Sequence, residues 1–399
     1  MDKHRNIYDY VIILTIISIV FAGDLFGAFT PVVLTGFLTS IYFVFRRRIW
    51  EHYLIPRCKY LILFFLIFLI YSLGAISWIN DRKQYLINVI WTYCFIFDFL
   101  LIFYCSLRAN KPVNSIVIGW IILTTINLCC SYWEITTGNH FASGSFNADN
   151  QDALKIYSAV TYGNYNSLSI VLCLSLIFNL LYMQLYNRLK NQIFALLLII
   201  CIFVVLLVNT SRGSLLCFTF FSIPMWYTIR HIRGLKYIVL TLVICIVGYI
   251  WHEYSEIICQ IIEAQLNSRP DAGDDPRWRL WKAGLEIASQ WWYIGSGPGS
   301  MMYEYAKNHV FILHAHNLWI QMLVEYGLLI TLFFIYICIN IVRKTLFSID
   351  PILKSIGLYF IFCWPVLTII DEGYMKVFHW IFFASIFSII YHRKYCIYE

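Results

Sequence analysis

Long apolar runs recur along almost the whole chain and constrain its fold more than any other feature of the sequence. Each run is about as long as the helix of roughly 20 residues that crosses the ~30 Å hydrocarbon core of a membrane. Hydrophobic residues make up 60% of the 399, and charged residues only 13%, whereas about a quarter of the residues of a soluble domain are charged. We therefore predict an all-α integral membrane protein whose residues 1–399 form a single polytopic domain.

Hydropathy predicts about twelve spans in this domain. They cover roughly 8–23, 28–45, 59–79, 85–107, 112–134, 167–186, 192–210, 214–229, 236–253, 317–342, 355–370 and 377–392. No convincing small-residue cleavage site follows the first span, so we expect it to be retained rather than removed as a signal peptide.

The distribution of basic residues predicts the orientation of the spans. If the N-terminus lies inside, 19 of the 29 Lys and Arg residues fall in cytoplasmic segments. The other ten fall outside, and five of these belong to one long loop, where the rule that basic loops stay in the cytoplasm is weak. Both termini are therefore predicted to be cytoplasmic. The net charge of +7 follows largely from this bias and does not indicate binding to nucleic acid.

Two outer segments are longer than a simple connection requires. One covers about 135–166, and the other is a long periplasmic loop over 254–316, between the ninth and tenth spans. Long loops of this kind are usually functional or disordered. The stretch "PRWRLWKAGLEIASQWWY" within the second is amphipathic, which predicts a helix on the membrane surface or over a cavity.

Arginines and histidines gather on the predicted outer side. They are Arg212, Arg277, Arg279, His314 and His316. An arginine at the start of a span is costly unless it meets a partner or water, and it either snorkels to the headgroups or binds an anion. Guanidinium groups match phosphate oxygens in pairs and stay charged at any physiological pH. Anion recognition is the functional interpretation of this cluster.

Two neighbouring features admit more than one interpretation. Gly297, in "YIGSGPGSMMY", belongs either to a plain turn or to a loop whose backbone N–H groups approach a phosphate. His314 and His316 resemble part of a metal site, but no cysteine or carboxylate completes one at the usual spacing. A neutral imidazole serves better as a general base, so no metal and no cofactor is predicted.

Two acidic residues, Glu325 and Asp98, fall well inside predicted spans rather than at their ends. Glu325 follows His316 by nine residues, about 13 Å along the same helix, and Asp98 lies in the fourth span. Both are expected to face the bundle interior. Each is either a proton relay or a paired structural charge, and the sequence does not separate these alternatives.

Several of these stretches together resemble the O-antigen ligase-like family of membrane glycosyltransferases. The family signature is His, then Asn, Ser or Gln, nine residues, Gly, two residues, and Gly, Thr or Tyr. In "HAHNLWIQMLVEYGLLI", His316 and Asn317 are followed by nine residues and Gly327, whereas the last position, Ile330, departs from the pattern.

Three upstream stretches extend the resemblance. "TSRGSLL" resembles the outer loop that carries the family's first arginine, here Arg212. "RWRLWKAGLEIASQWWYIGSGPGS" resembles its loop from an arginine to a glycine series, which places the second arginine at Arg279. "YGNYNSLSIVLCLSL" resembles the stretch in which an asparagine, here Asn166, opens a span.

The resemblance implies glycan transfer from undecaprenyl diphosphate, at the outer face of the bacterial inner membrane. On this reading Arg212 and Arg279 stabilise the diphosphate leaving group, and His316 accepts the proton of the acceptor hydroxyl. The expected reaction is an inverting single displacement without a metal. Asn317 and His314 would position the histidine or the acceptor. Substrate-binding roles are also predicted for Arg277, Asn166 and Gly297, and the loop tryptophans would offer their faces to sugar rings.

A ligase that joins a completed O-antigen to lipid A-core is the leading hypothesis, and a polymerase is the alternative with the same chemistry but another acceptor. In a ligase the acceptor is lipid A-core, and in an O-antigen or capsule polymerase it is a second lipid-linked repeat unit. A transporter or flippase is an alternative of another class, favoured by Asp98 and Glu325, although the two halves of the chain show no sign of a repeat. A purely structural subunit would leave the arginine and histidine cluster unexplained.

Overall fold

The computed structural model describes residues 4–21, 30–141, 157–209, 211–230, 276–310, 315–370 and 376–395. Within these ranges all regular structure is helical. The helices are α1 (Ile7–Ile17), α2 (Pro31–Val44), α3 (Ile55–Gly74), α4 (Arg82–Arg108), α5 (Pro112–Thr137), α6 (Tyr165–Leu185), α7 (Leu189–Val208), α8 (Arg212–Ile229), α9 (Pro276–Gln290), α10 (Met301–Lys307), α11 (Leu318–Leu346), α12 (Pro351–Phe362), α13 (Trp364–Ile370) and α14 (Val377–Tyr395).

Seven helices in the described residues are long and apolar enough to cross a membrane. They are Arg47–Ser77, Arg82–Arg108, Pro112–Thr137, Tyr165–Leu185, Leu189–Val208, Leu318–Leu346 and Pro351–Ile369. The first of these contains α3 together with the short helical turns on either side of it, and the last joins α12 to α13. The prediction of an all-α membrane protein is thereby confirmed. The count of twelve spans and the cytoplasmic termini stay predictions, and the ninth predicted span, 236–253, lies outside the described residues. "Outer" below means the side predicted to face away from the cytoplasm.

Helix α4 packs against α1, α2 and α14. Gly36 of α2 approaches it so closely that a Cβ there would lie 2.3 Å from the Cys94 carbonyl oxygen. One turn further along α4, Asp98 is fully buried, as its position in a span predicts. Within the described ranges neither of its carboxylate oxygens has a hydrogen-bond partner.

Polar side chains tie the outer connections together. Glu134, at the end of α5, is buried and accepts hydrogen bonds from Ser158 Oγ at 2.7 Å and from the Val160 N–H at 2.8 Å. Asn209, at the end of α7, accepts from the Ser158 N–H at 2.8 Å and donates to the Ser158 carbonyl at 3.0 Å. The chain that leads into α6 is thus fixed to the turn that precedes Arg212.

Helix α11 is broken at Gly327, which corrects the prediction of a continuous span over 317–342. Gly327 has φ 77° and ψ 177°, far from helical values. The rings of Trp319 and Phe334 lie 5.7 Å apart, whereas an unbroken helix would separate these residues by about 22 Å. The helix therefore folds back on itself. We call 318–326 its first segment and 328–346 its second segment.

The packing of α3 shows which way each segment runs. Phe64 lies against Phe333 with ring centroids 5.3 Å apart, and Phe68 stacks on Tyr326 at 4.1 Å. The second segment is therefore antiparallel to α3, and its length of about 28 Å matches the hydrocarbon core. Gly327 stands at its outer end. The first segment runs outward toward Gly327, from a start beside His316.

Candidate active site

His316 lies immediately before the first segment of α11, in a backbone conformation that its neighbours hold fixed. Its φ of 48° is in the left-handed region, which costs a residue other than glycine about 1–3 kcal/mol and persists only where the surroundings enforce it. On one side, the carbonyl of Ala315 accepts a hydrogen bond from Trp281 Nε1 at 3.2 Å. On the other, Asn317 caps the helix. His316 itself is partly exposed.

The side chain of Asn317 serves as the N-cap of α11. Its Oδ1 accepts hydrogen bonds from the N–H groups of Trp319 at 3.0 Å and Ile320 at 3.2 Å. An oxygen so engaged satisfies two of the four donors that the start of a helix leaves without partners. Asn317 thus anchors the chain directly after His316, and its role in positioning the histidine stays a prediction. Direct contact with a substrate stays a prediction.

Helix α9 brings two of the predicted arginines to the start of α11. Arg277 and Arg279 lie exposed in its first turn. Two residues further on, Trp281 makes the bond to Ala315 described above. At Gly284 an added Cβ would lie 2.5 Å from the Ile320 side chain, so α9 packs directly along the first segment. The start of α9 and the start of α11 therefore meet.

A second contact holds α9 from the other side. Tyr305 of α10 is fully buried and donates a hydrogen bond from its hydroxyl to the Leu280 carbonyl at 2.8 Å. Burial raises the pKa of the Tyr305 hydroxyl, so this group remains a donor throughout the physiological pH range. Leu280, Tyr305 and Ala315 belong to a small apolar cluster separate from the main core. The cluster supports both helices that meet at His316.

Arg212 is the first residue of α8 and is exposed. Helix α8 packs against α13, and α13 in turn contacts the first segment of α11, because Trp319 Nε1 donates to Thr368 Oγ1 at 2.9 Å. Helix α13 thus contacts both the helix that Arg212 begins and the segment that follows His316. The helix starts that carry Arg212, Arg279 and His316 belong to the same outer end of the bundle.

The glycine series does not form the open loop that one interpretation of the sequence suggested. The N–H of Gly297 donates to the Glu325 carbonyl at 3.0 Å, and the N–H of Gly299 donates to Glu325 Oε2 at 2.9 Å. A phosphate at Gly297 would have to displace that internal bond. The structure therefore favours the interpretation of this stretch as a turn that packs against α11.

Of two further predicted site residues, the structure describes Asn166 but not His314. Asn166 is the second residue of α6 and partly buried, whereas Asn164 opens the helix by accepting a hydrogen bond from the Asn166 N–H at 2.7 Å. His314 lies outside the described residues. Among the loop tryptophans, Trp278 and Trp292 are exposed, and their contact with sugars stays a prediction.

Sequence reasoning missed Trp281 and the bond between Gly299 and Glu325. Trp281 stands two residues after Arg279. The spacing of the apolar residues in α9 would place it on the face of the helix that packs against the rest of the protein. Nothing in the sequence shows that its indole N–H meets a carbonyl 34 residues away. Glu325 was expected in the interior and is 1% exposed, and its carboxylate accepts a hydrogen bond from the N–H of Gly299 in the loop before α10.

Comparison with known proteins agrees with the resemblance. Residues 195–335 match the family model described as O-antigen ligase. The matched stretch covers about a third of the chain and is similar to the O-antigen ligase family. The match includes the arginines of α8 and α9 and His316, and it supports a membrane enzyme of the O-antigen ligase or polymerase type. A comparison with curated proteins found no match.

Proposed function

We propose that this protein is an inverting, metal-independent glycosyltransferase that moves a polysaccharide from undecaprenyl diphosphate to lipid A-core at the periplasmic face of the inner membrane. The donor is a lipid-linked glycan, and no cofactor takes part. The observation that carries the proposal is the bond from Trp281 to the Ala315 carbonyl. It joins the helix that carries Arg277 and Arg279 to the residue before His316.

The arginines and the histidine would share the chemistry. As the glycosidic bond to the diphosphate breaks, negative charge grows on the leaving group, and fixed cations in a water-poor site stabilise it most. Arg212 and Arg279 take this role, with Arg277 as a further contact to the donor. His316 accepts the proton of the acceptor hydroxyl as its oxygen attacks the anomeric carbon.

The depth of His316 fits a donor that is anchored in the membrane. Trp319 lies beside Phe334. Phe334 follows Gly327 by seven residues, so it lies about 10 Å inward of Gly327 along the second segment. Trp319 also bonds to Thr368 near the outer end of α13. His316 would therefore stand inward of the outer end of the second segment, at a depth that the diphosphate of a membrane-held polyprenyl donor can reach.

Complementation of a strain that lacks the gene tests these roles. Arg212→Ala, Arg279→Ala and His316→Ala should each abolish glycan transfer while the protein level stays normal. Lys282→Ala in α9 and His309→Ala after α10 are matched controls, because both residues are exposed and neither has a proposed role. Full activity of His316→Ala would exclude the general-base role.

The polymerase alternative differs in acceptor, and the products separate the two. Lipopolysaccharide and lipid-linked glycan are extracted in parallel from the deletion strain. Long polymer on undecaprenyl diphosphate together with bare lipid A-core is the result expected for a ligase. Single repeat units on lipid or on core would instead indicate a polymerase. Unchanged profiles of both would favour the transporter alternative.

A further inference from the structure

The break at Gly327 leaves backbone groups of α11 without their helical partners, and the connection between α9 and α10 supplies replacements. The Ser296 N–H donates to the Val324 carbonyl at 2.8 Å, and the Leu328 N–H donates to the Tyr293 carbonyl at 2.8 Å. We call residues 293–299 the clamp loop. Because buried backbone groups without partners are costly, the folded-back shape of α11 depends on this loop.

The clamp loop fits the break closely. At Gly327 an added Cβ would lie 2.1 Å from the Ile294 carbonyl oxygen, and at Gly295 it would lie 2.3 Å from Tyr71 Oη. At Gly299 it would lie 2.3 Å from Asn88 Nδ2. The loop is thus wedged between the break and the outer ends of α3 and α4. At Gly327 and Gly295 backbone atoms leave no room for a larger side chain, and at Gly299 the Asn88 side chain would have to move.

One side chain in this junction is ionisable. Glu325 is 1% exposed; its Oε2 accepts from the Gly299 N–H at 2.9 Å, and its Oε1 accepts from Gln321 Nε2 at 3.3 Å. Its backbone carbonyl also accepts a hydrogen bond from Tyr71 Oη at 2.9 Å. The carboxylate therefore joins the far end of the clamp loop to the last turn of the first segment.

Two contacts then fix the first segment relative to α9, one at each end. At the start, Trp281 holds the carbonyl before His316; at the other end, Glu325 holds Gly299 of the loop that continues from α9. We infer that Glu325 is a positioning residue: through its bond to Gly299 it sets the alignment of the segment that begins at His316 against the helix that carries Arg279. This inference rests on the roles proposed above for His316 and Arg279.

A positioning role and a proton-relay role require different properties of the Glu325 side chain. Acceptance of a hydrogen bond from the Gly299 N–H needs only a side-chain oxygen of the right length, which glutamine provides. A proton relay needs a group that can gain and lose a proton. The pair Glu325→Gln and Glu325→Ala therefore separates the two roles. Ile294→Val is a control within the clamp loop, because this side chain is exposed and the substitution keeps the backbone bonds.

The experiment combines hydrogen exchange with turnover, on the full chain in nanodiscs. In Glu325→Ala we expect faster amide exchange in peptides covering 293–300 and 315–322, and a fall of roughly ten- to hundredfold in glycan transfer at saturating donor. Glu325→Gln and Ile294→Val should stay near wild type in both measurements. Exchange over 315–322 that is unchanged in Glu325→Ala would overturn the inference, and so would a Glu325→Gln variant as inactive as Glu325→Ala.

Hydrogen exchange also separates this inference from the proposed function. The exchange rates do not depend on which reaction the protein catalyses. If His316→Ala retains full transfer while Glu325→Ala loosens 315–322, the proposed general base is wrong and the clamp stands. If His316→Ala is inactive while Glu325→Ala exchanges and turns over like wild type, the clamp is wrong and the proposed base stands.

Discussion

Trp319 and Phe334 belong to the same helix, fifteen residues apart, yet their ring centroids lie 5.7 Å from each other. This contact requires α11 to fold back at Gly327, and it gives a physical meaning to the glycine of the family signature. The conformation at Gly327, with φ 77°, is one that L side chains rarely adopt. The nine residues that separate Asn317 from Gly327 in the signature are then the residues of the first segment, 318–326.

Gly327→Ala should therefore disrupt the candidate site. An added Cβ would lie 2.1 Å from the Ile294 carbonyl oxygen, and a backbone with positive φ is strained for alanine. We expect a loss of several °C in the melting temperature of the purified protein and a loss of glycan transfer. Gly74→Ala is the matched control, because a Cβ there meets nothing within 4 Å. A Gly327→Ala protein with wild-type transfer would contradict this account of the break.

The sequence predicts the helical membrane architecture well, because hydropathy reports the burial of whole spans. It does not predict the break at Gly327, since glycine is common in unbroken membrane helices and the apolar pattern continues through it. The outer placement of Arg212 and His316 follows from charge bias and spacing. The contacts that hold these residues in place do not follow from the sequence. They are hydrogen bonds to backbone atoms, such as the one from Trp281 to Ala315, and such bonds leave no pattern in a single sequence.

Trp281→Phe should lower turnover more than stability. Phenylalanine keeps most of the partly buried ring but cannot donate to the Ala315 carbonyl, so the residue before His316 loses its hydrogen bond to α9. A neutral hydrogen bond contributes about 1 kcal/mol, and a small shift of a catalytic group costs up to about a hundredfold in rate. Turnover of the purified enzyme and its melting temperature measure both effects. Equal turnover of Trp281→Phe and wild type would show that this bond does not position His316.

Asn317 should tolerate substitution only by other capping residues. Its Oδ1 accepts from the N–H groups of Trp319 and Ile320, and replacement of such a cap by alanine costs about 1 kcal/mol. Asn317→Ser and Asn317→Asp keep an oxygen within reach of these donors. We expect both to retain transfer and Asn317→Ala to lose most of it. If Asn317→Ser is as inactive as Asn317→Ala, the amide itself contacts the substrate, and capping is not its main role.

Asp98 separates the glycosyltransferase from the transporter alternative. Its carboxylate is fully buried in α4, and within the part of the chain that the structure describes neither oxygen has a hydrogen-bond partner. A negative charge there would lack compensation inside the membrane, so the uncharged amide of Asp98→Asn should be accepted without loss. Melting temperature and glycan transfer near those of wild type are the expected results. A proton relay would need the carboxyl group itself, and loss of function in a correctly folded Asp98→Asn protein would support the transporter alternative instead.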